Sequence, residues 1–173
     1  MPDQDFTLVV TGTIDDDTVE RLFEAGLDDA TVRSSGGVGF VDVTREAPTM
    51  AEALASAIRQ VRSAGLEVRE VEPGDLVTMS AIAEHLGRTR ESVRLLIEGE
   101  RGPGGFPPAT SPAEGHNRRW RWMQVARWAE LPPEEIERAE AIAAVNASLN
   151  FGLYETELGK KLVAEIAQMM AKN

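Results

Sequence analysis

Arginine side chains cluster in the middle of this 173-residue chain, although its formal net charge at pH 7 is -11. Four of them, Arg88, Arg90, Arg94 and Arg101, lie close together in one short stretch. A guanidinium group presents several donors in one plane, so it suits phosphate oxygens and the edge of a guanine base. The cluster therefore indicates contact with a nucleic acid.

The charge is unevenly distributed along the chain. Residues 1–74 carry six Lys and Arg against fifteen Asp and Glu, whereas residues 75–130 carry eight against seven. A second basic cluster, RRWR at residues 118–121, lies in a stretch where Glu114 is the only acidic residue between Arg101 and Arg127. Because the rest of the chain repels DNA, this pattern favours specific binding through a localised patch over non-specific coating.

Two short helices are predicted to position the first arginine cluster. Ser80 is predicted to cap the first helix and Thr89 the second, and Gly87 ends the first helix. The spacing of Ala83, Gly87 and Val93 is typical of a helix-turn-helix, in which a small residue allows close crossing, a glycine makes the turn and an apolar residue anchors the second helix. By itself this spacing also fits an ordinary helical hairpin.

The sequence DLVTMSAIAEHLGRTRESVRLLIEGERGPGGFP, followed by RRWRWMQVARWAE, resembles the winged helix-turn-helix of MerR-like and excisionase-like DNA-binding proteins of actinobacterial type. The resemblance covers about a third of the chain. It implies that the second helix enters the major groove of double-stranded DNA, that a β-hairpin wing follows, and that a short helix packs behind the wing. The hairpin would carry Phe106 on one strand and both Trp120 and Trp122 on the other.

The outward residues of the second helix are the candidates for reading bases, because they lie off its apolar face and near its N-terminus. They are Arg90, Glu91, Arg94 and Leu95, with Leu95 suited to a thymine methyl group. The candidates for phosphate contacts lie in the turn and on the wing. They are Arg88, Thr89, Arg118, Arg119 and Arg121.

Residues 1–73 show strand and helix signals in the order βαββαβ, which predicts an α+β fold with a ferredoxin-like N-terminal domain. Asp15, Asp16 and Asp17 are explained by the start of a helix rather than by a metal. The run Gly36 to Gly39 is predicted to be a hairpin turn rather than a phosphate loop, because it joins two strands. We expect this domain to bind an unidentified protein or a small-molecule effector.

Residues 131–173 are predicted to form a helical tail that follows a winged helix-turn-helix domain at residues 75–130. Apolar residues recur at helical spacing in two stripes. The first is Ile142, Val145, Leu149 and Leu153, and the second is Leu158, Leu162, Ile166 and Met169. They pack either on the chain's own domains or on a second copy, and we favour a homodimer because helix-turn-helix proteins usually bind as two-fold dimers.

Other classes of function are less supported. The chain has no cysteine, and its two histidines, His85 and His116, form neither a metal cluster nor a catalytic triad, so we predict no enzyme, metal or cofactor. There is no apolar run long enough for a bilayer and no basic leader, so we expect a cytoplasmic protein without membrane contact. Two alternatives stay open: an excisionase-like architectural DNA factor, and a protein-interaction adaptor or antitoxin-like protein with a degenerate helix-turn-helix.

Overall fold

The chain has an α+β fold that combines an antiparallel four-stranded sheet with seven helices in the ranges described. The computed structural model describes residues 1–110, 118–152 and 156–170, apart from the side chains of Ile166, Ala167 and Met170. The strands are β1 (Asp3–Thr11), β2 (Ala30–Ser35), β3 (Val38–Glu46), β4 (Glu67–Glu72), β5 (Leu76–Val77) and β6 (Trp120–Arg121). The helices are α1 (Asp16–Glu24), α2 (Met50–Ser63), α3 (Met79–His85), α4 (Arg90–Ile97), α5 (Trp122–Trp128), α6 (Pro133–Gly152) and α7 (Glu157–Met170).

The four-stranded sheet has the order β2-β3-β1-β4, and each neighbouring pair is antiparallel. Its strands alternate between buried and more exposed residues, as in β1, where Phe6, Leu8 and Val10 are buried. These side chains share one core with Leu22 of α1 and Leu54 of α2. Both helices therefore cover the same face of the sheet.

Capping explains where α1 and α2 begin. The Asp15 carboxylate accepts a hydrogen bond from the Thr18 backbone N–H at 2.8 Å, and Thr49 accepts one from Glu52 N–H at 3.2 Å. The hydrogen bonds from Thr18 hold the pKa of Asp15 below its ordinary value.

The predicted hairpin is present, because Gly36 and the next residue, both with positive φ, connect β2 to β3.

A second, smaller core holds α3, α4 and α5 together. Its buried members are Val77, Ile82, Ala83, Val93, Trp120 and Val125. The prediction for the start of α3 was wrong by two residues, since Thr78 and not Ser80 is its N-cap. The Thr78 hydroxyl accepts from Ala81 N–H at 3.1 Å, because β5 ends at Val77 and the helix follows it at once.

Helix α6 packs on β4 and α2 as well as on α5. Ile142 is 5% exposed within the larger core, and Val145 and Leu149 pack against that core. The Asn146 amide donates to Val71 C=O at 2.9 Å and accepts from Val71 N–H at 2.7 Å. The apolar stripe of α6 therefore packs within its own chain, as far as it is described; Leu153 lies outside the described residues.

Helix α7 presents apolar side chains to solvent. Leu158 and Met169 are 67% and 69% exposed, and Leu162 is 47% exposed. The side chain of Ile166, the fourth member of the predicted stripe, lies outside the description. None of the helices in the described ranges has both the length and the apolar character needed to cross a membrane.

Candidate nucleic-acid interface

The turn between α3 and α4 is closed by backbone hydrogen bonds around Gly87. Gly87 has φ of +59°, a conformation that favours glycine. Its N–H bonds to Glu84 C=O at 3.0 Å, and Arg88 N–H bonds to Ala83 C=O at 2.8 Å. Ala83 and Val93 are 4% and 0% exposed, so the two helices meet around these residues and the exposed start of α4 is held in place.

The exposed start of α4 carries the predicted DNA-contacting residues. Arg88, Arg90 and Glu91 are exposed, whereas Leu95 is half-buried. Thr89 is the N-cap of α4, as predicted, and its hydroxyl accepts from Ser92 N–H at 3.1 Å. That hydroxyl already has a partner as an acceptor, so a phosphate contact from Thr89 would use its O–H as the donor.

Arg94 is paired with Glu91 of its own helix and with Glu98, the C-cap residue of that helix. Its Nη2 lies 2.7 Å from Glu91 Oε1, and its Nη1 pairs with Glu98 one turn further on. Hydrogen bonds from Arg94 hold the pKa of Glu91 below its ordinary value, and those from Glu91 raise the pKa of Arg94. Arg94 and Glu91, both predicted to contact bases, are therefore paired with each other in the free protein. Base contact by Arg94 requires its pair with Glu91 or its pair with Glu98 to open.

If α4 contacts DNA as the sequence predicts, replacing Glu98 by glutamine is expected to strengthen that binding severalfold. The substitution removes one negative charge next to DNA and releases one donor of Arg94. We expect the slope of log affinity against log salt to become steeper by about one. The measurement is a salt titration by fluorescence anisotropy, with Glu52→Gln, an exposed acid at the start of α2, as the matched control. Unchanged affinity would show that Arg94 does not face DNA.

The second arginine cluster flanks a buried tryptophan. The Arg118 guanidinium carbon lies 5.1 Å from the ring centre of Trp120, which is 1% exposed. Arg119 C=O accepts from the backbone N–H and the hydroxyl of Thr110 at 2.9 and 3.2 Å. These bonds join the two arms of the predicted wing at the start of its tip. The tip was predicted at residues 110–117, of which residues 111–117 lie outside the described residues.

The predicted arrangement of the wing strands needs a correction. Trp120 and Arg121 form β6, but this strand pairs with β5, with Val77 opposite Trp120, and the segment around Phe106 is not a strand. Trp122 is the first residue of α5 rather than part of the strand. The physical reason is that β5 supplies only two residues for pairing, after which Asp75 C=O accepts from Trp122 N–H at 2.7 Å and the helix begins.

Arg121 makes an internal ion pair that the sequence did not reveal. Its Nη1 lies 3.0 Å from Oδ2 of Asp75, whose side chain is only 4% exposed. The other carboxylate oxygen of Asp75 accepts from Met123 N–H at 3.2 Å. Arg121 therefore holds α5 to the segment before α3, and its prediction as a phosphate contact now competes with this structural role. The one feature of the sequence that could have indicated this role is a single acidic residue, Asp75, directly before the apolar residues Leu76 and Val77.

A cavity of about 630 Å³ lies on the flank of α4, between the turn and the end of α5. Arg88 and Arg101 line it together with apolar residues, including Leu96 and Trp128. Arg101 was not among the predicted contacts, although it belongs to the same sequence cluster. Among the residues that the structure describes, no group of three or more His, Asp or Glu side chains is arranged to hold a metal ion.

No protein-family model, curated protein or solved structure was found to match this chain. A proposal for its function therefore depends on the chain's own residues and their geometry.

Proposed function

We propose that the chain is a sequence-specific DNA-binding protein that acts as a transcriptional regulator. The observation that carries this proposal is the pair of basic clusters on one domain of an otherwise acidic chain. Arg88 and Arg90 lie at the exposed start of α4 and, within the described ranges, neither is in an ion pair. Free guanidinium groups at the start of a helix that follows a tight turn suit entry into the major groove of double-stranded DNA.

The arrangement of elements supports this proposal. Residues 1–73 combine βαββαβ order with the strand order β2-β3-β1-β4, which we infer to be a ferredoxin-like domain. For residues 75–130 we infer a winged helix-turn-helix, with α4 as the recognition helix and the segment between Phe106 and Trp120 as the wing. The N-terminal domain is proposed to receive the effector, as a protein or a small molecule.

Single substitutions should separate reading of bases from positioning on phosphates. Arg90→Ala is expected to cost about 1–3 kcal/mol of binding free energy and to relax the preference at one base position. Arg119→Ala is expected to weaken binding to all DNA sequences equally, because a phosphate contact carries no sequence information. It should also reduce the slope of log affinity against log salt by about one. The measurement is selection of sequences from a random library, followed by gel shifts on the selected site and its single-base variants.

A matched control is available in α2, where Arg59 is exposed and far from α4 in the sequence. Arg59→Ala should leave both affinity and base preference unchanged. If the unmodified protein selects no sequence and shows no salt-dependent affinity for DNA, the proposal fails and a protein-binding adaptor becomes the better explanation. If Arg90→Ala lowers the affinity for all DNA sequences equally, Arg90 contacts phosphate rather than bases.

We also propose a homodimer, in which two copies of α4 meet the half-sites of an inverted repeat. Two-fold symmetry places equivalent helices on half-sites about 34–36 Å apart, or a multiple of that distance. The exposed apolar stripe of α7 supports this part of the proposal, because large apolar side chains at helical spacing are typical of a surface that packs on a partner.

A further inference from the structure

An apolar groove of about 830 Å³ opens between α2, β4 and α6. Its apolar lining includes Ile58 from α2, Val68 from β4, and Val145 and Leu149 from α6. The groove reaches Gly152, the last residue of α6. It therefore lies at the point where the chain continues towards α7, and nothing in the described ranges fills it.

Helix α7 has the matching surface. Leu158, Leu162 and Met169 recur at intervals of four and seven residues, so they lie on one side of the helix. They are between 47% and 69% exposed. Covering this stripe would remove its apolar surface from water, which favours association with a complementary apolar surface.

The charges beside the two surfaces are complementary. The groove is bordered by Arg69 and by Arg62 and Glu67, which form an exposed ion pair with each other at 4.0 Å. Along one edge of the α7 stripe, Lys161 and Glu165 stand four residues apart, which places them on successive turns. Glu165 of α7 can thus face Arg69 at the rim, whereas Lys161 would have to replace Arg62 as the partner of Glu67.

We propose that the groove is the docking site for α7 of a second copy of this chain, with each copy giving its helix to the other. In this structure α7 leaves its own groove uncovered, so its apolar side remains open to another molecule. If two copies related by a two-fold axis exchange α7, both of their equivalent grooves are filled. A helix of 14 residues is about 21 Å long, enough to lie along three turns of α6. This inference deepens the proposed homodimer and does not depend on DNA recognition.

The absence of cysteine from the sequence allows a direct test by disulfide formation. One full-length variant carries Leu149→Cys in the groove and another carries Leu162→Cys in α7. When the two are mixed and oxidised, we expect a disulfide-linked heterodimer, because the bond requires the two Cα atoms within about 7 Å. Each variant oxidised alone should stay mainly monomeric on a non-reducing gel. The matched control is Ala147→Cys, an exposed position of α6 outside the groove lining, which should not link to Leu162→Cys.

Other outcomes would overturn the proposal. Linkage of Leu162→Cys to itself would show that two copies of α7 pack directly on each other. An internal disulfide in a monomeric double variant would show that α7 folds into its own groove. No linkage for Leu149→Cys or for a second groove variant, Val145→Cys, would show that the groove does not receive α7. Because no DNA is present, any of these results leaves the proposed DNA recognition standing.

A second measurement addresses affinity. Leu162→Glu places a charge on the apolar stripe, so we expect the dimer to dissociate into monomers at micromolar concentration in sedimentation equilibrium. The dissociation constant of the dimer should become at least about 100-fold larger. Lys160→Glu makes the same kind of exposed substitution on a different side of the helix and serves as the control. A monomeric unmodified protein would contradict the proposal.

Discussion

A chain that ends at Glu130 is expected to lose about 4 kcal/mol or more of the stability of its larger core. Helix α6 supplies Ile142 to the core, with Val145 and Leu149 packed beside it. Truncating a buried isoleucine to alanine alone typically costs about 2–5 kcal/mol. Glu137 adds hydrogen bonds to Met50 and Ala51 N–H, both at 3.3 Å, at the start of α2, and these are also removed.

The measurement is urea denaturation followed by two probes. All three tryptophans, Trp120, Trp122 and Trp128, lie between β6 and the end of α5, so their fluorescence reports on the smaller core. Far-ultraviolet circular dichroism reports on both cores. We expect the dichroism midpoint to fall further than the fluorescence midpoint. A chain ending at Gly152 keeps α6, so its dichroism midpoint should lie well above that of the chain ending at Glu130. Equal midpoints for the two truncations would show that α6 contributes nothing to the N-terminal core.

Asp75→Ala is expected to destabilise the smaller core by about 2–3 kcal/mol. The Asp75 carboxylate is nearly inaccessible to water and bonds to Arg121 and to Met123 N–H. Hydrogen bonds to a charged group contribute about 1.5–3 kcal/mol, and a buried donor that loses its partner carries a further penalty. Part of this cost is offset because the Arg121 side chain is 47% exposed and regains contact with water.

Tryptophan fluorescence during urea unfolding measures this change directly. Asp75→Asn keeps an acceptor for Met123 N–H and should retain more stability than the alanine variant. Arg121→Ala should also lower stability. Arg119→Ala should lower it less, because in the described part of the chain the hydrogen bonds of Arg119 are made by its backbone C=O, which alanine retains. If Arg121→Ala leaves stability unchanged but weakens DNA binding, Arg121 is a phosphate contact and its pair with Asp75 is incidental.

Features that depend on neighbouring residues were predictable from the sequence. Thr89 caps α4 because its hydroxyl reaches the N–H three residues later, a contact that local sequence determines. The hairpin at Gly36 and the alternation in β1 are local in the same way. The start of α3 was wrong because Thr78 and Ser80 are both good caps. The choice between them depends on where β5 ends, and so on a tertiary contact with Trp120.

Features that depend on distant residues were not predictable. Asp75 and Arg121 are 46 residues apart, and neither residue has a local pattern that indicates the other. The helical repeat of Ile142, Val145 and Leu149 would be the same against a second copy as against the N-terminal core. The helical pattern predicted that Arg90 and Glu91 lie off the apolar face of α4, and both are exposed, but the pairing of Arg94 with Glu91 and Glu98 became visible only in three dimensions.

The bonds between Asn146 and Val71 have a consequence for solubility. Strand β4 is at the edge of the sheet, where an unpaired N–H and C=O would act as a template for a strand from another molecule. The Asn146 amide occupies both groups of Val71, near the C-terminal end of that edge. It therefore blocks edge-to-edge pairing there, and the same helix that stabilises the domain also protects it against fibril-like aggregation.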